Sequence, residues 1–215
     1  MSDNLPTYAL SFRELITLAS SRKPIPGGGS ISAMAAVLGA SMGAMVANLT
    51  LGKKGYEKYF TKAQDLVLEF EGGIAIFEAL TRVDMEAFIS LLEALRLPGK
   101  DNGAQNNRQK IIQKATLLAT KAPLDIACQA FKLLELNLEL AAFGNVGAVN
   151  DCGVAAILLE AAVRASLLSV DINLPSLEEG TEKSQILSQR KTLAEEAAEI
   201  LKKTLAKVQE RAQTL

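Results

Sequence analysis

Apolar residues recur at three- and four-residue spacing along most of this chain, and that period predicts helices and leaves little room for strands. Ser11 with Glu14 forms a Ser-x-x-Glu capping box, which predicts a short first helix ending near Ser20. Pro24-Ile25-Pro26-Gly27-Gly28-Gly29-Ser30 then reads as a loop, its prolines stiffening the entry and its glycines opening backbone angles closed to other residues. Residues 30–51 read as one helix rich in Ala, Gly, Ser and Met, with no charged residue between Pro24 and Gly52. Such a helix is covered on every side. It is long enough to cross a bilayer. Its Ser30, Ser32, Ser41, Asn48 and Thr50, the lack of an aromatic belt and the amphipathic flanking helices favour a buried central helix instead. Gly39 and Gly43, four apart on one face, predict a close approach to another helix.

A long helical stretch is predicted over residues 57–95, with a break or kink at Gly72-Gly73 and a stop at Leu97-Pro98-Gly99. Residues 101–107 are polar and read as loop. Another helical stretch covers residues 108–142, where Pro123 is expected to kink or divide it. Gly144-Asn145-Val146-Gly147 ends it, Asn150 or Asp151 caps the next helix to about residue 169, and residues 171–175 lead into a last loop. The final helix, about residues 181–212, keeps Ile186, Leu193, Ala197, Ile200, Leu201, Leu205 and Val208 near one face, either to cover the bundle or to pair with a second subunit. The expected fold is an all-α, single-domain bundle over residues 1–215, built of long helices around a buried Ala/Gly-rich central helix.

Composition narrows the function. Lys and Arg number 23 against 24 Asp and Glu, a net charge of −1 that gives no electrostatic case for non-specific nucleic-acid binding and points to a small partner. The only cysteines, Cys128 and Cys152, lie in apolar stretches, too few for a disulfide framework and in keeping with a reducing cytoplasm. Residues 1–10 carry no basic segment followed by an apolar run, so no secretory signal is expected. Histidine is absent and the cysteines form no zinc spacing, so no metal is expected and acid–base work falls to Asp, Glu, Lys or Tyr.

Four places could carry chemistry. Gly28, Gly29 and Ser30 open the central helix with free N–H groups and the positive end of its dipole, near Arg22 and Lys23; the plain alternative is a turn with a Ser30 cap. The loop lacks the Walker lysine and follows no strand, so a nucleotide site is not supported. Asp84 interrupts the apolar stripe of Phe77, Leu80, Phe88, Leu91 and Leu95. Burial would raise its pKa and suit it to proton exchange, whereas a neighbouring Lys or Arg would make it a structural ion pair. Beyond the central helix, Asn48, Lys53, Lys54 and Tyr56 could hold a carboxylated ligand, or the lysines could simply face the helix C-terminus in water. Asn145 with Asn150 and Asp151 is the fourth, the plain reading being a loop and an N-cap.

Taken together, Pro26-Gly27-Gly28-Gly29-Ser30, the segment Met45-Val46-Ala47-Asn48-Leu49-Thr50-Leu51-Gly52-Lys53-Lys54 with Tyr56, Asp84 with Phe88, Gly144-Asn145, and Asp151-Cys152-Gly153-Val154-Ala155 followed by Ile172-Asn173-Leu174 resemble the formiminotransferase-cyclodeaminase C-terminal family in order and spacing. The resemblance covers nearly the whole chain, in its free-standing form. It implies a helical homodimer acting on one-carbon derivatives of tetrahydrofolate without a permanently bound cofactor, as formimidoyltetrahydrofolate cyclodeaminase or as methenyltetrahydrofolate cyclohydrolase. A folate-binding helical protein that has lost activity is the third reading. Under the resemblance, Asp84 is expected to transfer protons, with Asp151 as a second carboxylate. Lys53 and Tyr56 would hold or polarise the folate, and Asn48 and Asn145 would hydrogen-bond the pterin or its one-carbon group. Gly28, Gly29 and Ser30 would bind an anionic or carbonyl edge. Arg22, Lys23, Lys53 and Lys54 would meet the carboxylates of the folate's glutamate tail.

Overall fold

The computed structural model describes residues 7–98 and 102–213. Its described residues form six α-helices and no strand: α1 (Phe12–Ala19), α2 (Gly28–Thr50), α3 (Phe60–Arg96), α4 (Asn102–Phe143), α5 (Val149–Asn173) and α6 (Thr181–Ala212). Residues 1–6 and 99–101, which include part of the expected signal-free N-terminus and of the expected polar loop, lie outside the description. The Ser11 hydroxyl accepts from the Glu14 N–H while the Glu14 carboxylate accepts from the Ser11 N–H, so the capping box that opens α1 forms as expected.

The uncharged helix α2 packs chiefly between α3 and α5 and touches α4, while α6 lies across α4 and α5. Ala33, Ala36, Ala40, Val46 and Ala47 of α2 are fully buried against Phe70 and Phe77 of α3, Leu133, Leu134 and Leu140 of α4, and Leu159 and Val163 of α5. The helix α5 runs antiparallel to α2. Gly28 sits beside Ser169 at the C-terminal end of α5, and Gly39 sits beside Leu158 and Leu159 near its middle. Both α2 and α5 are long and apolar enough to cross a membrane, and about half of each is buried among the other helices.

Gly39 and Gly43 serve two different neighbours, not the single helix their spacing suggested. A Cβ at Gly39 would press on Leu159 of α5 at 3.0 Å, and one at Gly43 would lie 2.6 Å from the Phe70 ring of α3. The four-residue step turns the helix about 40° past a full turn. That is enough to aim one glycine at each side.

Several boundaries differ from those the sequence predicted, and at Gly73 and Pro123 packing gives the reason. Gly72-Gly73 does not interrupt α3: Gly73 is where Leu133 of α4 comes within 2.5 Å of a would-be Cβ, so the glycine admits a neighbour instead of ending the helix. Helix α4 begins at Asn102, within the expected loop, and continues through Pro123. Pro123 has no N–H to give to the carbonyl four residues earlier, at Ala119. The Asn173 side-chain amide donates to that same Ala119 oxygen at 3.0 Å, so the orphaned acceptor is satisfied from α5. Helix α5 starts at Val149 and extends to Asn173, leaving Asn145 to cap the short 3-10 turn Val146–Ala148 by accepting from the Gly147 N–H.

Candidate active site

The N-terminal end of α2 and the middle of α3 meet at a carboxylate. Helix α2 begins at Gly28, two residues earlier than expected, with Gly27 as its N-cap. Ser30 is therefore not the cap. Its hydroxyl donates to Asp84 Oδ2 at 2.7 Å, and its backbone N–H also bonds the Asp84 carboxylate. Position 29 must be glycine for this contact, because any Cβ there would overlap the Asp84 carboxylate oxygens. Neither of the neighbouring cations Arg22 and Lys23 pairs with Asp84, and no described Lys or Arg does. The structural ion pair is thus set aside. Burial pushes the Asp84 carboxyl above its usual range, and the two bonds from Ser30 offset only part of that rise.

Asp84 faces a cavity of about 150 Å³ between α2, α3, α4 and α5. Gly27, Gly28 and Gly29 form one wall, Pro24 and Ile25 of the preceding loop a second, and Ala119, Ser169, Ile172 and Asn173 a third, with Met85 and Phe88 beside the carboxylate. The Ile25–Pro26 peptide bond in that loop is cis. Behind the carboxylate, Tyr8 and Thr81 share a hydroxyl hydrogen bond of 3.0 Å and Thr7 lies against Met85, so the turn Thr7–Ala9 braces α3 at Thr81, one turn before Asp84, and at Met85, the residue after it. The roles of Ser169, Asn173 and Ala119 were not read from the sequence. The one available signal was the missing Pro123 N–H, which demands a donor for Ala119 without saying which residue supplies it.

The other predicted residues gather at the opposite end of α2. Asn48 and Lys53 are exposed there, and among the described residues neither Lys53 nor Lys54 pairs with a carboxylate. Gly52 and Gly55 adopt positive φ, 69° and 89°, and let the chain turn back after α2. The Tyr56 oxygen accepts from the Val146 N–H at 2.9 Å, and the Asn145 side-chain amide donates to the Leu49 carbonyl at 2.9 Å. Thr50 accepts from the Asn145 N–H at 2.8 Å. Asp151, half-buried in the first turn of α5, lies at this end too, with Asn150 its nearest donor at 3.5 Å. Ser30 and Asn48 are 18 residues apart in one continuous helix, which separates the two groups by about 27 Å.

Fold and site together define an all-helical bundle with a half-buried carboxylate at a glycine-led helix start and no histidine. The sequence model of the formiminotransferase-cyclodeaminase family matches residues 11–192, and the chain belongs to that family. It is 31% identical over 180 residues to a methenyltetrahydrofolate cyclohydrolase of Methylorubrum extorquens, covering 84% of this chain and 86% of that one. It is 30% identical over 187 residues to the mouse formimidoyltransferase-cyclodeaminase, covering 87% of this chain but 35% of that protein. The chain therefore spans about a third of the length of the animal relatives it matches. The crystal structure of formiminotetrahydrofolate cyclodeaminase from Thermotoga maritima superposes with a TM-score of 0.85 at 26% identity, covering 94% of this chain and 98% of that one.

Proposed function

We propose that this protein is an enzyme of one-carbon folate metabolism that cyclises 5-formimidoyltetrahydrofolate to 5,10-methenyltetrahydrofolate with release of ammonia. The observation that carries the reading is Asp84: a half-buried carboxylate whose pKa burial raises, held by Ser30, without a cation partner among the described residues and facing a cavity. In this reaction N10 attacks the amidine carbon on N5, and the resulting tetrahedral centre must lose the N10 proton and protonate the departing nitrogen. Asp84 takes the first proton and returns it to the leaving amine, so the carboxylate ends as it began. Its negative charge then lies beside the cationic methenyl bridge. No redox cofactor is needed, and none is proposed as a permanent resident.

Lys53, Asn48, Tyr56 and Asn145 are assigned to the folate itself, with Asp151 as the second carboxylate. Arg22 and Lys23 stand exposed just before Pro24 on the cavity wall, suitably placed for the carboxylates of a glutamate tail of one or more residues. The working form is a cytoplasmic homodimer with no nucleic-acid or membrane partner.

Hydrolysis of the methenyl bridge to 10-formyltetrahydrofolate is the alternative, and the Methylorubrum cyclohydrolase, similar in length, favours weighing it. Here Asp84 takes a proton from the attacking water and delivers it to N5 as the C–N5 bond breaks, while the remaining hydroxyl proton goes to solvent as the formyl carbonyl forms on N10. A near-ultraviolet assay separates the readings, because the methenyl bridge absorbs there. Growth of signal from formimidoyl substrate supports cyclodeamination, loss of signal from methenyl substrate supports hydrolysis, and folate binding with neither change means an inactive binding protein.

A further inference from the structure

Resting on the cyclodeamination proposed above, we infer that Asn173 holds the departing nitrogen of the substrate beside Asp84, with Ser169 as a second acceptor, and so selects a nitrogen-bearing one-carbon group over its oxygen-bearing counterpart. The Asn173 amide has a fixed orientation. Its N–H groups donate to two backbone carbonyls, that of Ala119 at 3.0 Å and that of Ser169 at 3.2 Å. Carbonyl oxygens only accept, so the amide nitrogen must lie on that side and Oδ1 on the other. Among the described residues nothing donates to Oδ1, and the Ser169 hydroxyl has no partner either. Neither atom is sealed within the protein. Both residues line the cavity at Asp84, one helical turn apart on α5, and the Ser169 hydroxyl lies 3.7 Å from where a Cβ of Gly28 would stand.

The chemistry of the cavity suits a small cation. Its lining holds one carboxylate and no Lys or Arg, and a volume of about 150 Å³ takes a one-carbon substituent more readily than a whole pterin. The formimidoyl group is such a cation: its amidinium is positive, and its terminal nitrogen carries two N–H groups. Once N10 has attacked and the N10 proton has passed through Asp84 to that nitrogen, it carries three. Asp84, Asn173 Oδ1 and Ser169 Oγ offer three acceptors for them. The full charge sits on this nitrogen only just before the C–N bond breaks, so the contacts are strongest there. The electron pair of that bond then leaves with ammonia, and the positive charge stays on the methenyl bridge.

The same acceptors disfavour oxygen. In 5-formyltetrahydrofolate the one-carbon group has the same shape, with a carbonyl oxygen where the nitrogen stood, and its lone pairs would face those of Asn173 with no proton between them. A carbonyl finds donors only on the glycine side, at the N–H groups of Gly28 and Gly29 that open α2.

Asn173→Ala, with 5-formyltetrahydrofolate as a competitive inhibitor, tests the inference. Wild type is expected to bind the formyl compound about tenfold or more less tightly than the formimidoyl substrate. In Asn173→Ala, kcat/KM for the formimidoyl substrate should fall about 10–100-fold while the inhibition constant of the formyl compound stays the same or falls. Damage to the fold would weaken both ligands, so equal weakening overturns the inference, as does a kcat/KM within about twofold of wild type. Ser169→Ala should show the same split at a few-fold, and unchanged kinetics would overturn the three-acceptor arrangement.

Because Asn173 also supports the Ala119 carbonyl, the double variant Pro123→Ala/Asn173→Ala separates the two tasks. Its unfolding midpoint should return toward wild type while the loss in kcat/KM remains. Recovery of kcat/KM along with the midpoint would mean that Asn173 acts through the helix alone, and would overturn the inference. Equilibrium binding separates the acceptor from the reaction. A wild type that turns over neither folate substrate, yet binds the formimidoyl compound more tightly than the formyl one, would overturn the proposed reaction and support the acceptor. A wild type that binds the two equally would overturn the acceptor whatever its turnover, and one that binds neither would overturn both.

Discussion

The two ends of α2 look alike in sequence, each a short polar and glycine-bearing segment beside an uncharged helix, yet they do different work. At the N-terminal end the polar groups converge on a half-buried carboxylate and leave a cavity before it. At the C-terminal end most of them hold the chain together: Thr50, Tyr56 and Asn145 tie the end of α2 to the turn before α5, leaving Asn48 and the lysines free at the surface. These backbone contacts take up part of the hydrogen-bonding capacity of Tyr56 and Asn145 and leave the Tyr56 hydroxyl proton and one Asn145 amide proton for a ligand. Chemistry therefore belongs to the first end, and framework with exposed binding groups to the second.

The largest test of that contrast is Asp84→Asn, which should lower turnover about 10²–10⁴-fold while folate affinity changes only a few-fold. Near-normal turnover would remove the proton-transfer role. Gly29→Ala comes next: its methyl displaces the carboxylate from Ser30, and a loss of about 10²-fold is expected from an error of that size. Since the carboxylate can swing aside, the melting temperature should hardly move; a large drop would mean that Gly29 serves the fold.

Ser30→Ala should cost about tenfold in turnover and shift the pH profile. Asp84 must be ionised to take the first proton, so turnover rises with pH through its pKa, and burial already places that limb above the ordinary carboxyl range. Removing the Ser30 hydroxyl, which favours the ionised form, should move the limb further toward high pH. A shift to lower pH would contradict the assignment.

At the other end Thr50→Val should cost about 1–3 kcal/mol of stability, measured by denaturant unfolding, by leaving the Asn145 N–H without its acceptor. The pH limb set by Asp84 should stay put, and movement of it would show the ends coupled through α2. Asn173→Ala should cost a similar or smaller amount, about 1–2 kcal/mol, because the Ala119 carbonyl loses its donor. Pro123→Ala restores a helical N–H to that carbonyl, so the double variant should regain much of the loss; strict additivity would refute the link.

Much of the fold was legible because helical period, the Ser11–Glu14 box and the final helix at residues 181–212 are local features. Asp84 was legible for the same reason: one carboxylate in an apolar stripe stands out at helical spacing. Neither Gly72-Gly73 nor Pro123 divides its helix. Local propensity was overridden there by partners remote in sequence, the Leu133 side chain at Gly73 and the Asn173 amide at Ala119.

By itself the sequence determined the helices, the uncharged character of α2 and the chemical kinds of residue at each end, since all of these follow from side-chain type and near-neighbour spacing. Only the tertiary structure decided that Ser30 grips Asp84 instead of capping its own helix, and that the remaining polar residues stand a helix length away. Contacts such as that between residues 30 and 84 depend on how rigid helices stack, and no local pattern encodes the choice among stackings.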